Sequence, residues 1–362
     1  MLSFYSMTVF FMIFAGLIMI AIISADNLIP YDSKKAFRNV FVIINISILL
    51  EWAITVNYNN ENLGDFTSFL LFKVAAALLY ILAPISIYLI GRAFTNTRLI
   101  KNILWFIIGN VGFQIFILLH KDFFISNQTY LAPNNLYWIY NIILVICLIS
   151  AIISVYKMSM KYQSRNQYIL VFIVVILFFG NFFQALNDEY LVYLFSGSLA
   201  TMFAYAYFVS IVNKIDVLTH ILNRRCFESK IRKPKKDLII LFFDVNKFKE
   251  VNDTFGHGYG DYVLIKLCSI IMDIYGKNGF CYRIGGDEFC VILDKRLYEI
   301  DKLNEKFVLK VIEEQSKEKN LPDLSFGYSK FVYGKDDIKE VIKAADAMMY
   351  KVKAENKFFE RQ

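Results

Sequence analysis

Two adjacent carboxylates on a glycine turn, Gly285-Gly286-Asp287-Glu288, are the strongest chemical signal in the chain. Glycines at such a turn let a bulky ligand approach the backbone, and paired acids suit divalent-metal and proton chemistry. A third acid, Asp244, closes the continuously apolar run Leu238-Ile239-Ile240-Leu241-Phe242-Phe243 and is followed by Val245-Asn246-Lys247-Phe248-Lys249. A carboxylate at the C-terminal end of a strand, with a lysine and open backbone amides at the helix start beyond it, suits a metal and a phosphate. Asp244 is placed to hold a divalent cation and Lys249 to meet a phosphate.

The elements around these residues decide whether they meet. The apolar runs Phe280-Cys281-Tyr282 and Phe289-Cys290-Val291-Ile292-Leu293 flank the glycine turn and read as a hairpin. The run ending at Asp244 reads as a strand buried on both faces. If it lies beside the hairpin, Asp244, Asp287 and Glu288 share one edge, as a two-metal phosphoryl-transfer site requires. A helix is expected to begin within Asp216–Arg225, with Asp216 and Thr219 as caps. Further helices are expected after Gly256-His257-Gly258-Tyr259-Gly260-Asp261 as far as about Tyr275, near 296–319, and over about 336–354, with a strand at 324–330. Strands alternating with helices of this length imply an α/β or α+β domain, helices packed over one central sheet.

The first part of the chain has a different composition. Hydrophobic residues make up 57% of the 362, and only 11 of the 39 Lys and Arg and 8 of the 32 Asp and Glu fall in residues 1–212. Seven apolar segments reach the roughly 20 residues that cross a bilayer, near 4–24, 37–56, 68–91, 100–119, 136–157, 167–187 and 190–212. Lys34, Lys35 and Arg38, then Arg92, Arg98 and Lys101, then Lys157, Lys161 and Arg165 fall in alternate loops. The positive-inside rule therefore puts the N-terminus outside and everything after about residue 212 inside. This gives a membrane region over 1–212 and a cytoplasmic domain over 213–362. The last span runs into residues 211–216 without a glycine or proline, so a helix is expected to continue across the joint and transmit motion.

Polar side chains in the spans are costly in lipid and so carry information. Under this topology Glu51, Lys73, Gln114, Asn141, Asn181 and Gln184 all lie toward the outer face. One reading is a pocket for an external small molecule, with Glu51 and Lys73 as a charge pair. The other is hydrogen bonding between helices, with Lys73 reaching the surface. A transporter is disfavoured, because there is no second membrane repeat and no pair of Gly/Pro-broken helices in matching positions, Pro84 standing alone. The five cysteines lack CxxC spacing and read as small buried residues in a reducing compartment. The net charge of +7 includes no basic run long enough to argue for nucleic acid.

From Asp216 onward, four motifs follow in order: Asp216…Leu218-Thr219…Leu222-Asn223-Arg224-Arg225; Asp244-Val245-Asn246-Lys247-Phe248-Lys249 through Asn252-Asp253, Gly256-His257 and Gly260-Asp261; Arg283-Ile284-Gly285-Gly286-Asp287-Glu288-Phe289; and Ala345-Asp346-Ala347-Met348-Met349-Tyr350…Lys353. On these the segment resembles the GGDEF-domain diguanylate cyclases, which join two GTP molecules into cyclic di-GMP. The resemblance implies a central, mostly antiparallel sheet flanked by helices. It implies Asp244, Asp287 and the Val245 carbonyl as ligands of two Mg²⁺ or Mn²⁺ ions, and Glu288 as the acid that helps deprotonate the ribose 3′-hydroxyl. Asn252 and Asp261 match guanine-reading positions, and Lys249, Lys353 and Lys357 match phosphate contacts. Phe248 contributes backbone at the same bend, and Gly285 and Gly286 leave room for the nucleotide.

One domain offers half a site, so activity is expected of a homodimer with two-fold symmetry. The implied whole is a sensor in the bacterial inner membrane with its catalytic domain in the cytoplasm, answering an unidentified external small molecule. The competing reading is a catalytically silent domain that binds GTP and regulates a partner. Degenerate members of the family usually lose a signature acid, and here Asp244, Asp287 and Glu288 are all present. Asn246 stands where the family usually has a second Asp, and Asn356-Lys357 replaces a common Gly-Arg, turning a bidentate fork into a point charge. Gly276-Lys277-Asn278-Gly279 occupies the family's Arg-x-x-Asp positions, so product inhibition through that site is not expected.

Overall fold

Long apolar helices build the first unit, Met1–Asn213, and alternating strands and helices build the second, Lys214–Gln362. The computed structural model describes residues 2–59, 66–95, 98–119, 124–127, 130–133, 137–162, 168–186, 192–294 and 300–359. In the first unit the order is α1 (Leu2–Ala25), α2 (Tyr31–Asn59), α3 (Phe66–Phe94), α4 (Arg98–Leu119), β1 (Phe124–Asn127), β2 (Tyr130–Pro133), α5 (Tyr137–Lys161), α6 (Tyr168–Leu186) and α7 (Val192–Val212). β1 and β2 form a small antiparallel pair. Among the described residues six helices are long and apolar enough to cross a membrane: α1 to α5 and α7. The segment expected as a further span, 167–187, appears as α6, whose described apolar stretch, Tyr168–Phe183, is shorter.

Helix faces in this unit are apolar almost all round, which suits lipid outside and packing inside. Val9 of α1 meets Val40, Ile44 and Ile48 of α2, and Ile100, Ile103 and Ile107 of α4 meet Ile143 and Cys147 of α5. One end of α7 is held by aromatic packing, with Phe37 of α2 lying 5.3 Å from both Tyr205 and Phe208. The expectation of a helix running unbroken through 211–216 is not met. α7 ends at Val212, and Asp216 starts a turn by accepting hydrogen bonds from the backbone N–H and the hydroxyl of Thr219 at 2.9 and 2.7 Å. A short polar side chain that bonds its own backbone competes with the helix, and here it wins.

The second unit comprises β3 (Leu222–Asn223), α8 (Arg224–Ile231), β4 (Leu238–Val245), α9 (Phe248–Phe255), α10 (His257–Tyr275), β5 (Gly279–Arg283), β6 (Glu288–Asp294), α11 (Ile300–Lys317), β7 (Leu324–Phe331) and α12 (Ile338–Phe359). The helix expected to begin within Asp216–Arg225 starts at Arg224, but its cap is neither Asp216 nor Thr219: Asn223 caps it, its side chain accepting from the Cys226 N–H at 3.2 Å. The five strands lie in the order β3-β5-β6-β4-β7. All neighbouring pairs are antiparallel except β3 with β5, so the sheet is mixed but mostly antiparallel.

Alternation then assigns the faces. Ile239, Leu241, Phe243 and Val245 of β4 join Phe289, Val291 and Leu293 of β6 in the core under α10 and α11. Phe242 and Tyr282 turn to the other face, where Phe227 of α8 packs on both rings. Phe243 is fully buried against Tyr275, Phe307 and Phe326. Burying such a ring contributes about 1.5–3 kcal/mol, and it anchors the end of β4 one residue before Asp244.

Candidate active site

Register, rather than loop geometry, brings the site acids together. Asp244 lies directly opposite Glu288 in the antiparallel β4–β6 pair and opposite Ser325 in the β4–β7 pair. Residues so paired sit with their Cβ atoms about 5 Å apart on one face of the sheet. Asp244 is only 5% exposed. The next residue joins the strand end to the glycine turn: the Val245 N–H donates to the Asp287 carbonyl at 3.2 Å. Asn246 is held away from the acids, its N–H donating to the Asp323 carbonyl and its Oδ1 accepting from the Ser325 hydroxyl, both at 2.8 Å. Lys247 then adopts a left-handed φ of 52°, and this sharp bend starts α9.

The turn between β5 and β6 is closed by the N–H groups of Ile284 and Gly285, which donate to the Glu288 carbonyl at 3.0 and 3.3 Å. The two glycines have different reasons to be there. A Cβ on Gly285 would run into the Glu288 carboxylate, whereas a Cβ on Gly286 would meet open space. Gly285 thus lets Glu288 fold back over the turn, and Gly286 leaves room outside it. The Arg283 guanidinium spans the base of the turn. Its Nε and Nη2 donate to the Gly286 carbonyl at 3.2 and 2.7 Å, and its Nη1 donates to Asp216 Oδ1 at 3.1 Å. Desolvation pushes the Asp216 carboxyl up, but the Thr219 hydrogen bonds and Arg283 together hold it below its ordinary value.

Electrostatically this is a site in want of a cation. Burial raises the Glu288 carboxyl above its ordinary value, and Asp287, Asp244 and Asp346 raise it further, against a lowering by Arg224. Lys353 of α12 makes an ion pair with Asp244. Among the described residues no three His, Cys, Asp or Glu side chains stand close enough together to enclose a metal ion. The donors at hand are all hard oxygens on a buried strand end crowded with negative charge. They fit Mg²⁺ or Mn²⁺ far better than a metal that prefers sulfur or nitrogen.

The other expected contacts lie around α9 and α10. Asn252 packs its side chain onto Gly260, where a Cβ would collide with Oδ1, and so stands beside the exposed Asp261. Phe248 is half-buried against the core and Lys249 is exposed. Lys357 lies on α12 with its side chain outside the described residues. At the opposite end of the hairpin, Gly276–Gly279 border a cleft of about 260 Å³ together with Lys230, Lys236 and Asp294. Asp346 and Arg224 carry charge toward Glu288 that no spacing rule singled out; both occur in the quoted motifs, and only the packing of α8 and α12 brings them near.

The polar residues of the helical unit divide. Glu51 accepts a hydrogen bond from the Tyr193 hydroxyl of α7 at 3.0 Å. Gln114 and Lys73 are buried, at 2% and 5% exposure. Gln114 donates to Asn110 at 3.5 Å, and Asn110 donates to the Tyr80 carbonyl of α3 at 3.0 Å. Asn141 and Asn181 are exposed, the latter donating to the Leu177 carbonyl of its own helix at 2.8 Å. The side chain of Gln184 lies outside the described residues.

Comparison with known proteins concerns the second unit. Residues 213–358 match the family model described as diguanylate cyclase, GGDEF domain. The diguanylate cyclase DosC of Escherichia coli is 32% identical over 148 residues, which is 38% of this chain and 32% of that one. A diguanylate cyclase of Vibrio cholerae is 29% identical over 150 residues, 38% of this chain and 46% of its own length. The chain thus spans less than half the length of these relatives. The crystal structure of the GGDEF domain of DgcB from Caulobacter crescentus, in complex with c-di-GMP, aligns at 25% identity and a TM-score of 0.35. That alignment covers 39% of this chain and 90% of that one.

Proposed function

We propose that the chain is a membrane-bound diguanylate cyclase, condensing two GTP into cyclic di-GMP and two pyrophosphates. The observation that carries this reading is the cross-strand pairing of Asp244 with Glu288 beside Asp287, where burial and like charge raise the proton affinity of Glu288. A carboxylate made more basic in this way suits abstraction of a ribose 3′-hydroxyl proton. As that oxygen bonds to the α-phosphorus of the other GTP, the bond from the α-phosphorus to the bridging oxygen breaks. Pyrophosphate leaves, and the proton rests on Glu288. Asp244, Asp287 and the Val245 carbonyl would hold two Mg²⁺ or Mn²⁺ ions, whose chemistry is to neutralise charge on the phosphoryl oxygens.

The remaining residues bind and orient. Asp261 is acceptor-only and complements the N1–H and N2–H₂ donors of guanine, while Asn252 offers both a donor and an acceptor. Lys249, Lys353 and Lys357 meet phosphate, with Phe248 lending backbone at the bend. Gly285 and Gly286 admit the nucleotide. Each 3′-oxygen must reach a GTP held by another copy, so the working form is a two-fold homodimer.

The first unit is proposed as a seven-span, N-out and C-in bundle of a bacterial inner membrane that answers an external small molecule. Glu51, Gln114 and Lys73 are its candidate contacts; Asn141 and Asn181, being exposed, are left out of that set. The test is to supply the full-length protein, in nanodiscs, with GTP and Mg²⁺ and to resolve the products by chromatography. Absence of cyclic dinucleotide would sink the enzyme reading, and activity surviving Glu288→Gln would sink the role given to that carboxylate.

A further inference from the structure

Asp261, the residue read above as the guanine acceptor, sits between two tyrosines that share one carboxylate. The Tyr259 hydroxyl donates to Glu318 Oε1 at 2.8 Å and the Tyr262 hydroxyl donates to Glu318 Oε2 at 2.9 Å. Both oxygens of Glu318, just beyond the C-terminal end of α11, are thus used to grip the start of α10, through Tyr259 in its first turn and Tyr262 in its second. The rings continue the arrangement toward α9: Tyr259 lies 5.0 Å from Phe255 and 5.8 Å from Tyr262. That same first turn contains Gly260, the seat of the Asn252 side chain. Other ties between α10 and α11, Lys266 to Glu314 and the buried Tyr275 hydroxyl to Asn304, lie farther along the helix pair. Among these ties the Glu318 grip falls on the two tyrosines on either side of Asp261, of which Tyr259 also packs against the core.

The first turn of a helix is otherwise loosely held. It has fewer backbone ties than the helix middle, and here the cap is Gly256 at a φ of 81°, with no side-chain cap bond; its carbonyl accepts from the N–H groups of Tyr259 and Gly260, both at 3.2 Å. The Glu318 tie adds a tertiary constraint to the exposed side of the segment that carries Asp261. Two charge-assisted hydrogen bonds to one carboxylate fix two neighbouring ring orientations at once.

We infer that Glu318, through Tyr259 and Tyr262, is a positioning group for the guanine-reading pair Asn252 and Asp261, and so sets affinity and base selectivity for GTP. The inference rests on the nucleotide site proposed above. Glu318 and the tyrosines touch no reacting atom; they act by holding Asp261 in place.

The test uses full-length protein in nanodiscs with Tyr262→Phe, Glu318→Gln and the double variant. Tyr262→Phe removes one hydroxyl from a ring that is 45% exposed and so leaves folding intact. Each single change is expected to raise KM for GTP about 3- to 10-fold, the worth of one such hydrogen bond, with kcat within about twofold. The preference for GTP over ITP, which lacks the N2 amine, should fall in step, and the double variant should do little more than the worse single. Affinity for an α-phosphorothioate GTP analogue, measured by calorimetry, should fall by the same factor. Unchanged analogue affinity with only a lowered melting temperature, or a drop in kcat alone, overturns the inference. The binding arm needs no turnover. A failure of the enzyme reading therefore shows as absent product in the wild type, and a failure of this inference as unaltered affinity in the variants.

Discussion

The turn at 285–288 and the polar centre of the helical unit treat their charged and polar groups in opposite ways. At the turn, burial and then the three carboxylates Asp287, Asp244 and Asp346 raise the proton affinity of Glu288 against a lowering by Arg224, while Lys353 pairs with Asp244. In the bundle, Glu51 has the Tyr193 hydroxyl and Gln114 has Asn110. Stored repulsion marks a place kept for a charged ligand, whereas a satisfied hydrogen bond supports the fold whether or not the same group also meets a ligand. Removing a group should therefore have opposite consequences in the two regions. At the turn it should cost activity and leave stability intact or improved; in the bundle it should cost stability and leave the basal chemistry intact.

The largest effect is expected at the acids. Asp287→Ala and Glu288→Gln should each lower the cyclisation rate by about 10²- to 10⁴-fold, the range for losing a positioned proton acceptor or an electrostatic stabiliser. Melting temperature should not fall. If either variant lost stability instead of activity, the contrast would fail at its strongest point. Gly285→Ala comes next. The added methyl occupies the space of the Glu288 carboxylate, so Glu288 must swing away, and a misplaced catalytic group costs up to about 10²-fold. Gly286→Ala adds its methyl to open space and should leave melting unchanged while raising KM for GTP. Steady-state kinetics on both variants separates the two glycines.

How legible the two regions are follows from their geometry. Strand periodicity is two, so once the apolar run 238–243 and the hairpin are seen, Asp244 and Glu288 can fall only on one face. The signature acids, the sheet and the glycine turn were accordingly readable from the chain alone. Helix rotation is not fixed by an all-apolar sequence, because no polar stripe shows which face looks inward. Depth alone therefore groups Asn141 and Asn181 with Glu51, although both are exposed, and nothing in the sequence marks Tyr193, one aromatic among many, as the partner of Glu51. At the joint, Asp216 and Thr219 look like helix caps yet close a turn of their own. Their mutual hydrogen bonds are local, but the Arg283 guanidinium that also holds Asp216 comes from a strand 67 residues away. Glu318 was invisible for a similar reason, since nothing in its own neighbourhood announces two tyrosines.

In the bundle, Tyr193→Phe leaves Glu51 without the hydrogen bond the structure gives it. The pair is partly buried, and loss of one partner from it costs about 1 kcal/mol. The full-length protein should unfold at correspondingly lower denaturant, while cyclic di-GMP formation per folded molecule without any added signal stays within about twofold. Asn181→Ala, which removes only a bond to its own helix, should change stability by less than about 0.5 kcal/mol. A strong effect of Asn181→Ala with none from Tyr193→Phe would reverse the assignment of inside and outside for these helices.

The smallest effect tests the sign of the comparison most directly. The folded-state carboxyl of Glu288 titrates above its ordinary value, so the folded protein binds that proton more tightly than the unfolded chain does. The stability linked to this proton is fully present below the unfolded value of about 4.3 and is lost as pH rises through the higher folded value. At pH 7, in EDTA so that no metal offsets the charge, the ionised carboxylate is therefore a net burden on the fold. Glu288→Gln removes that burden and should melt slightly higher than the wild type, by on the order of 0.5 kcal/mol given how open the site is to solvent. Repeating the melts toward pH 4 should shrink the difference, since the wild-type carboxyl then carries its own proton. A fully satisfied Glu288 would give the reverse, a variant that melts lower at neutral pH. The turn would then belong with the bundle, as a place where charge serves the fold.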